Sequence, residues 1–342
     1  MKNLKKYNLY IFISTFTRNI IDIYSVVYLY QKGFTINNII GIYTLVYFLG
    51  IFISNISIRL GNIINYKYIL ILSSIITGLS FYLINDSHNP YLIAIFLSLS
   101  MFTYHPVKHY YGIKLQKNKK TIGNTLIFTY IAALLSQYLA VKKINIIYLL
   151  IISIIGIIPA LFIEKQDKET IIIPKKINKY KLRFFIFDQF KILFILLEPL
   201  YLYIISNNLK FVGIFNVILT ISSILCIYIL TNKINIRKIY KYINIIFTII
   251  LIFKINTTNQ IFLLILAFFE GIGIKTNELV STINLYDNNK INTGYIILSE
   301  KIFCLLRTLI LSTFYLLQID LKYSLYILIV GIFILSFQYQ KD

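Results

Sequence analysis

Residues 144–163 read INIIYLLIISIIGIIPALFI, a run of twenty residues without a charged side chain. A helix that crosses the hydrocarbon core of a bilayer, ~30 Å thick, needs roughly 20 mostly apolar residues. A strand of a membrane barrel would instead alternate apolar and polar residues, and this run does not alternate. The run therefore predicts a membrane-spanning α-helix.

Comparable runs fill nearly all of the 342-residue chain, which is 58% hydrophobic and has a mean hydropathy of +0.75. A soluble domain is typically about 45–50% apolar. We therefore predict an all-α membrane protein with twelve transmembrane helices. The predicted spans are residues 7–29, 37–58, 66–84, 91–112, 121–141, 144–163, 182–205, 211–231, 239–254, 260–281, 291–316 and 321–338.

The net charge of +21 is scattered among the segments between these spans. A nucleic-acid partner would need that charge gathered on one surface, so none is expected. Lys and Arg concentrate on the cytoplasmic side of membrane proteins. With the N-terminus inside, 22 of the 34 Lys and Arg residues fall in cytoplasmic segments, and 6, including Lys254, fall in outer loops. This bias predicts a multi-pass protein of the cell or inner membrane with both termini in the cytoplasm.

The two halves of the chain resemble each other. The motif YLY occurs at residues 28–30 and 201–203, and GIY at 41–43 corresponds to GIF at 213–215. The offsets are 173 and 172 residues, about half of the chain, and such internal repeats are common in transporters. We predict two pseudo-symmetric six-helix bundles, residues 1–163 and 182–342, joined by a cytoplasmic linker at residues 164–181.

Leaving out the first and last three residues of each predicted span, twelve Asp, Glu, Lys and Arg side chains fall inside the spans, and most lie in spans one, four, seven and ten. Each costs at least about 2.5–3.5 kcal/mol at the bilayer centre, so such groups normally face a bundle interior or a wet cavity. They are Arg18, Asp22, Lys108, Asp188, Lys191, Glu198, Glu270, Lys275, Glu278, Glu300, Lys301 and Arg307.

Depth separates these residues into candidates. Arg18, Asp22 and Glu270 lie near mid-span and are the main candidates for binding a solute or a proton, although the Arg18–Asp22 pair is also compatible with a static brace between helices. Lys108 and Lys301 lie near helix ends, where lysine can reach the interface and act only as an anchor. Five further residues are candidates with an equally plausible structural role: Asp188, Lys191, Glu198, Glu300 and Arg307.

His105 and His109 are four residues apart in span four and are a possible proton relay. With three histidines in the chain, we expect neither a metal site nor a cofactor. Cys226 and Cys304 lie inside spans and are expected to be small core residues. The sequence carries no P-loop, so the chain is not expected to hydrolyse ATP itself.

These features resemble the major facilitator superfamily. That family's best-known loop motif is roughly Gly-x-x-x-Asp-Arg-x-Gly-Arg-Arg, and residues 54–63 here read SNISIRLGNI. Arg59 and Gly61 match the motif, whereas Ile58 occupies the acidic position. The resemblance implies that helices one, four, seven and ten line a central cavity, and it assigns no subfamily.

The leading hypothesis is a secondary transporter, not an enzyme, that moves a small polar or charged solute by alternating access, and this hypothesis includes coupling to protons. The alternatives are a lipid flippase of the same fold, a polytopic enzyme acting on lipid, and a non-transporting member acting as a receptor or scaffold. The expected partners are a small solute, H⁺ and the lipid bilayer, and the chain is expected to be a monomer.

Overall fold

The computed structural model describes residues 2–115, 119–141, 151, 153–166, 168, 170–174, 179–232, 236–286 and 293–337. Within these ranges the chain is helical apart from short connections. Twelve helices are described, and each overlaps one predicted span, although most of span six lies outside the described residues. The helices are α1 Lys2–Gln31, α2 Ile36–Ile64, α3 Tyr66–Asp86, α4 Pro90–Leu115, α5 Lys119–Val141, α6 Ile157–Phe162, α7 Lys179–Ser206, α8 Leu209–Asn232, α9 Ile236–Asn256, α10 Gln260–Tyr286, α11 Thr293–Leu316 and α12 Leu321–Leu335.

Short, well-capped connections join neighbouring helices. Thr35 caps α2 by accepting a hydrogen bond from the backbone N–H of Asn38, and Asp320 caps α12 in the same way through Lys322. One residue, Asn65, separates α2 from α3, with φ 93°. Asparagine tolerates this left-handed region better than most residues. Connections this short require consecutive helices to run in opposite directions.

Six helices in the described part of the chain are long and apolar enough to cross a membrane: α2, α3, α4, α7, α8 and α9. Large apolar side chains such as Phe52, Ile221 and Phe253 are exposed on their surfaces. Apolar side chains that face outward along a whole helix are stable in lipid and costly in water. The chain is therefore an integral, multi-pass membrane protein.

Hydrogen bonds between helix termini define the two ends of the molecule. Near the start of α1, the Tyr7 hydroxyl donates to the Lys108 carbonyl near the end of α4, at 2.9 Å. Near the other end of α1, the Lys32 ammonium donates to the Ser87 carbonyl just after α3, at 3.1 Å.

Hydrophobic packing differs between these ends. At the end where α1 finishes, one continuous cluster joins residues of the first helices, such as Tyr24 and Tyr43, to residues of the later ones, such as Leu197 and Phe215. We name this the closed end. At the end where α1 begins, the core is split into two clusters, and we name this the divided end. One cluster contains Tyr7, Tyr66 and Tyr111, and the other contains Phe185, Tyr240 and Leu279.

Several contacts link early and late helices. Helix α2 packs along α11, α5 along α8, and α1 against α7. At the closed end the rings of Tyr30 and Tyr203 meet edge to face with centroids 6.2 Å apart. These two tyrosines belong to the YLY motifs whose repetition is visible in the sequence.

Candidate functional site

A cavity of about 430 Å³ lies between the two clusters of the divided end and extends toward the middle of the helices. Small-molecule sites are typically clefts of about 300–1,000 Å³, so this volume suits a small solute. Its wall includes residues of α1, α2, α4, α5, α7, α8, α10 and α11. The Glu278 side chain on this wall is 34% exposed, so the space beside it is wide enough to hold water.

Three helices converge on a buried group of charges that we name the carboxylate–lysine triad: Glu198 of α7, Lys254 of α9 and Glu270 of α10. The Lys254 ammonium lies 2.6 and 2.7 Å from the two carboxylate oxygens of Glu270 and also donates to Glu198. Lys254 and Glu270 are fully buried, whereas Glu198 lines the cavity. The triad is therefore a dry charge cluster with one member at the cavity wall.

The position of Lys254 corrects our sequence prediction. We placed it in an outer loop because it falls at the end of span nine, but α9 continues to Asn256. Within that last turn the Lys254 side chain turns inward, and its ammonium lies 4.6 Å from the centre of the Phe194 ring. The two acidic partners compensate the cost of burying the ammonium.

Two further ion pairs lie on the cavity wall, each between residues three apart on one helix. Lys191 contacts Asp188 on α7 at 2.5 Å, and Lys275 contacts Glu278 on α10 at 2.8 Å. The Tyr130 hydroxyl of α5 also bonds Glu278. With Glu198, these four are among the eight predicted charges that line the cavity; the other three are Lys108, Glu300 and Arg307.

Glu300 of α11 faces the histidines of α4. Its carboxylate lies 3.7 Å from Nε2 of His109, and both residues line the cavity together with His105. The predicted relay residues therefore have access to the cavity. Among the described residues no three His, Cys, Asp or Glu side chains are placed to hold a metal ion.

Arg307 of α11 also lines the cavity and is held from two sides. Its Nε donates to the side-chain oxygen of Gln189 at 2.8 Å, and its guanidinium lies 5.1 Å from the centre of the Tyr47 ring. The Gln189 amide nitrogen donates to the Phe185 carbonyl at 2.9 Å. This second bond fixes the amide so that its oxygen faces Arg307.

Arg18 has different surroundings. Its guanidinium bonds Ser100 of α4 through the carbonyl at 2.8 Å and the hydroxyl at 3.1 Å, and it bonds the same two groups of Ser73 on α3. The guanidinium also lies 4.0 Å from the centre of the Tyr104 ring. Arg18 is 4% exposed and lies outside the cavity lining. Its geometry is that of a connection between α1, α3 and α4.

The remaining predicted residues lie on the cavity wall, away from it, or outside the residues that the structure describes. Helix α1 includes Asp22, but its side chain lies outside the described residues. Lys108 lines the cavity, whereas Lys301 does not. Arg59 is exposed and bonds Asn55 one turn earlier at 3.0 Å. Gly61 packs so closely on the Tyr66 ring that an added Cβ would lie 2.5 Å from it, which explains the glycine without reference to the loop motif.

Sequence reasoning missed two uncharged contributors to the site. Gln189 orients Arg307, and Gln137 of α5 forms a reciprocal pair with Thr220 of α8 at the cavity wall, with distances of 2.9 and 3.2 Å. Glutamine inside an apolar run is a recognisable signal, because its amide needs partners when buried. A search restricted to charged residues does not find it.

Comparison with known proteins shows which fold these helices form. No protein-family profile and no curated sequence matches the chain. Among solved structures, the chain is similar to an outward-facing bacterial homologue of the iron transporter ferroportin, with a TM-score of 0.69 and 10% identity, covering 99% of this chain and 98% of that one. It is also similar to the nucleoside transporter NupG, with a TM-score of 0.68 and 12% identity, covering 99% and 98%.

Both structures have the major facilitator fold, so the fold that the sequence resemblance implied is confirmed. In its described part the chain is an all-helical membrane protein with this fold. At these identities the likeness concerns the fold alone, and the site must be judged from this chain's own residues.

Proposed function

We propose that the chain is a secondary active transporter that binds one small polar solute in the central cavity and carries it by alternating access. The observation that carries this proposal is the cavity itself, a largely apolar space with eight charged side chains on its wall, between helices of a transporter fold. In this proposal residues 1–163 and 182–342 act as two six-helix bundles around the linker 164–181, and both termini are cytoplasmic.

The unequal packing of the two ends supports this mechanism. The continuous cluster at the closed end separates the cavity from one side, and the split core at the divided end leaves it accessible from the other. Transport would require the early and late helices to separate at the closed end while the two clusters of the divided end come into contact. In the proposed orientation the divided end faces the cytoplasm, so the cavity in this conformation would be open to the cytoplasm.

We further propose that the carboxylate–lysine triad binds the coupling proton. One ammonium balances one of its two carboxylates, and an uncompensated charge buried away from water costs several kcal/mol. A proton on Glu198 or Glu270 would make the triad neutral. Glu198 lies at the cavity wall, so a proton can reach the triad from the cavity without crossing the apolar core. Asp22 remains a second candidate for this role.

Uptake into proteoliposomes tests both parts. We expect an imposed pH gradient to drive accumulation of a solute from a chemically diverse panel, and a protonophore to abolish that accumulation. Glu270→Gln should lose gradient-driven accumulation but retain exchange of solute across the membrane. The matched control is Glu164→Gln, which removes a carboxylate at the surface.

The outcomes separate the alternatives. Transport unaffected by the protonophore would remove the proton coupling and leave the transporter. Movement of labelled lipid with no movement of any solute would instead support a flippase. Movement of neither would contradict transport altogether and favour a receptor or scaffold.

A further inference from the structure

Arg307 is held at the cavity wall in a way that fixes the direction of its guanidinium. The Nε bond to Gln189 and the Tyr47 ring constrain two sides of the group. A guanidinium has five N–H donors. Among the residues that the structure describes, Gln189 is the one that accepts a hydrogen bond from this guanidinium. The two terminal nitrogens are thus left to serve whatever occupies the cavity.

Such a pair of parallel donors matches one kind of ligand group. The planar fork of arginine binds the two oxygens of a carboxylate or phosphate in a bidentate manner, which a lysine ammonium does not reproduce. Because Nε is already occupied, an oxyanion would meet the two terminal nitrogens end-on. The fixed Gln189 amide reduces the entropy lost when the complex forms.

The charges on the wall agree with an anionic ligand. The wall carries the cations Lys108, Lys191, Lys275 and Arg307. Its acidic residues are Asp188, Glu278, Glu300 and Glu198, of which Glu198 is bound by Lys254 from behind the wall. When the triad holds its proposed proton, Lys254 balances the one triad carboxylate that stays ionised, so the four cations of the wall face the three acids Asp188, Glu278 and Glu300. In that state the wall has one more positive charge than its acids balance. A cationic cargo would increase this imbalance, whereas a monoanion would remove it.

The rest of the wall indicates that the anion has an apolar part. Aromatic and aliphatic side chains, among them Tyr47, Phe102 and Phe303, line the cavity beside the charges. Bare phosphate would leave this apolar surface hydrated. An organic molecule would bury it, at about 25 cal/mol for each Å² removed from water.

We infer that the solute is a small organic anion whose carboxylate or phosphate is bound by the terminal nitrogens of Arg307. This inference rests on the proposed transport function and names the chemical class of its solute. It assigns the binding of the anion to Arg307, one of the five further sequence candidates, and not to Arg18, which was a main candidate for solute binding. With a proton held in the triad, the loaded cavity would be close to electroneutral.

Binding to the purified, full-length protein in lipid nanodiscs tests the inference. The probes are inorganic phosphate, a short organic carboxylate, an organic phosphate monoester, and the uncharged amide or alcohol that corresponds to each organic anion. We expect at least one organic anion to bind at least ~10-fold more tightly than its uncharged counterpart, the scale of a charged, bidentate contact. The carboxylate and monoester probes distinguish the two sources of the oxyanion.

Two variants and a control connect that preference to Arg307. Arg307→Gln should weaken binding of the anion by ~10-fold or more, and Arg307→Lys should have an intermediate effect because it keeps the charge but not the fork. The uncharged counterparts should bind both variants as they bind the wild type. Arg183→Gln is the matched control, because Arg183 is exposed at the start of α7.

Transport of the same solutes separates this inference from the proposed function. If uncharged or cationic solutes are transported while no organic anion binds, or if Arg307→Gln leaves anion binding unchanged, the inference is overturned and the transporter remains. If organic anions bind through Arg307 but no solute is moved, the inference holds for a binding site and the proposed transport fails.

Discussion

Arg18 and Arg307 are two arginines inside membrane helices, and their surroundings differ. Arg18 is almost fully buried and bonded by two serines, each of which provides a carbonyl and a hydroxyl oxygen. Arg307 is half-buried at the cavity, and Gln189 holds it through Nε. Arg18 uses its donors within the protein, whereas Arg307 keeps its two outer nitrogens for the cavity.

The comparison shows that depth in the membrane does not by itself identify a binding residue. An intramembrane charge must be compensated, and the partners of Arg18 include four oxygens on α3 and α4. What distinguishes a binding residue is the set of its donors that remain after the protein's own contacts are made. Lys254, whose ammonium is held by two carboxylates, resembles Arg18 in this respect.

The largest effect is expected from Lys254→Met, which removes the charge that holds the triad together. Two buried carboxylates would then lack their cation, and breaking a buried ion pair by removing one partner costs about 3–5 kcal/mol. We expect a large fall in thermal stability in detergent. Adding Glu198→Gln and Glu270→Gln to Lys254→Met should restore most of the lost stability, because no charge then remains in the triad. An unchanged melting temperature in the single variant would mean that the triad is not dry.

A smaller loss of stability is expected from Arg18→Met, and almost none from Arg307→Met. Hydrogen bonds to a charged group contribute about 1.5–3 kcal/mol each, and removing a buried charge also relieves the cost of its desolvation. At least four such bonds hold Arg18 and one holds Arg307, so we expect a net loss of about 2–4 kcal/mol for Arg18→Met and below about 1 kcal/mol for Arg307→Met. Chemical denaturation of the two variants side by side measures the difference. Equal losses would contradict the assignment of Arg18 to structure and Arg307 to binding.

The smallest effect is expected at Gln189, which positions Arg307 without reaching the solute. Gln189→Leu removes the Nε acceptor, and we expect the affinity for the transported solute to fall by ~3–10-fold, less than the full value of a hydrogen bond to a charged group, because the guanidinium loses its orientation but stays at the wall. The maximal transport rate should change little. Gln189→Glu should weaken the binding of an anionic solute further, since the new carboxylate would compete with the solute for the guanidinium. A solute that binds more tightly to Gln189→Glu would contradict an anionic class.

The sequence predicted the fold well because the bilayer imposes simple rules. Span length, helix reversal and the spread of charges follow from a single apolar solvent, and all twelve described helices overlap predicted spans. The YLY repeat likewise marked two tyrosines, Tyr30 and Tyr203, that meet at the closed end. The motif around Arg59 carried less information, because Gly61 is explained by its contact with Tyr66.

The site could be predicted only in part. Reading charges inside spans found the eight Asp, Glu, Lys and Arg residues of the cavity wall, including Asp188, Lys191 and Glu300. Periodicity does not reveal which partner a side chain meets on another helix, so Glu270 was identified while its partner Lys254 was assigned to a loop. The role of Arg307 depends on which of its donors Gln189 occupies, and only the packed structure contains that information.

Alternating access through the closed end is the central claim, and a reversible cross-link there tests it most directly. Tyr30→Cys and Tyr203→Cys would be combined in a protein whose buried Cys226 and Cys304 are replaced by Ala. The ring centroids now lie 6.2 Å apart. Cysteine is shorter than tyrosine and a disulfide needs close Cα atoms, so a reducible bifunctional thiol reagent long enough to replace the two rings is used to join the positions. Each single cysteine variant serves as a control.

We expect the cross-link to abolish solute uptake and a reductant to restore it, because α1 and α7 must part at this end for the cavity to face the other side. Each single variant should transport the solute with or without the cross-linking reagent. Full uptake in a protein shown to be completely cross-linked would contradict the account, since the cavity would then be filled and emptied without opening the closed end.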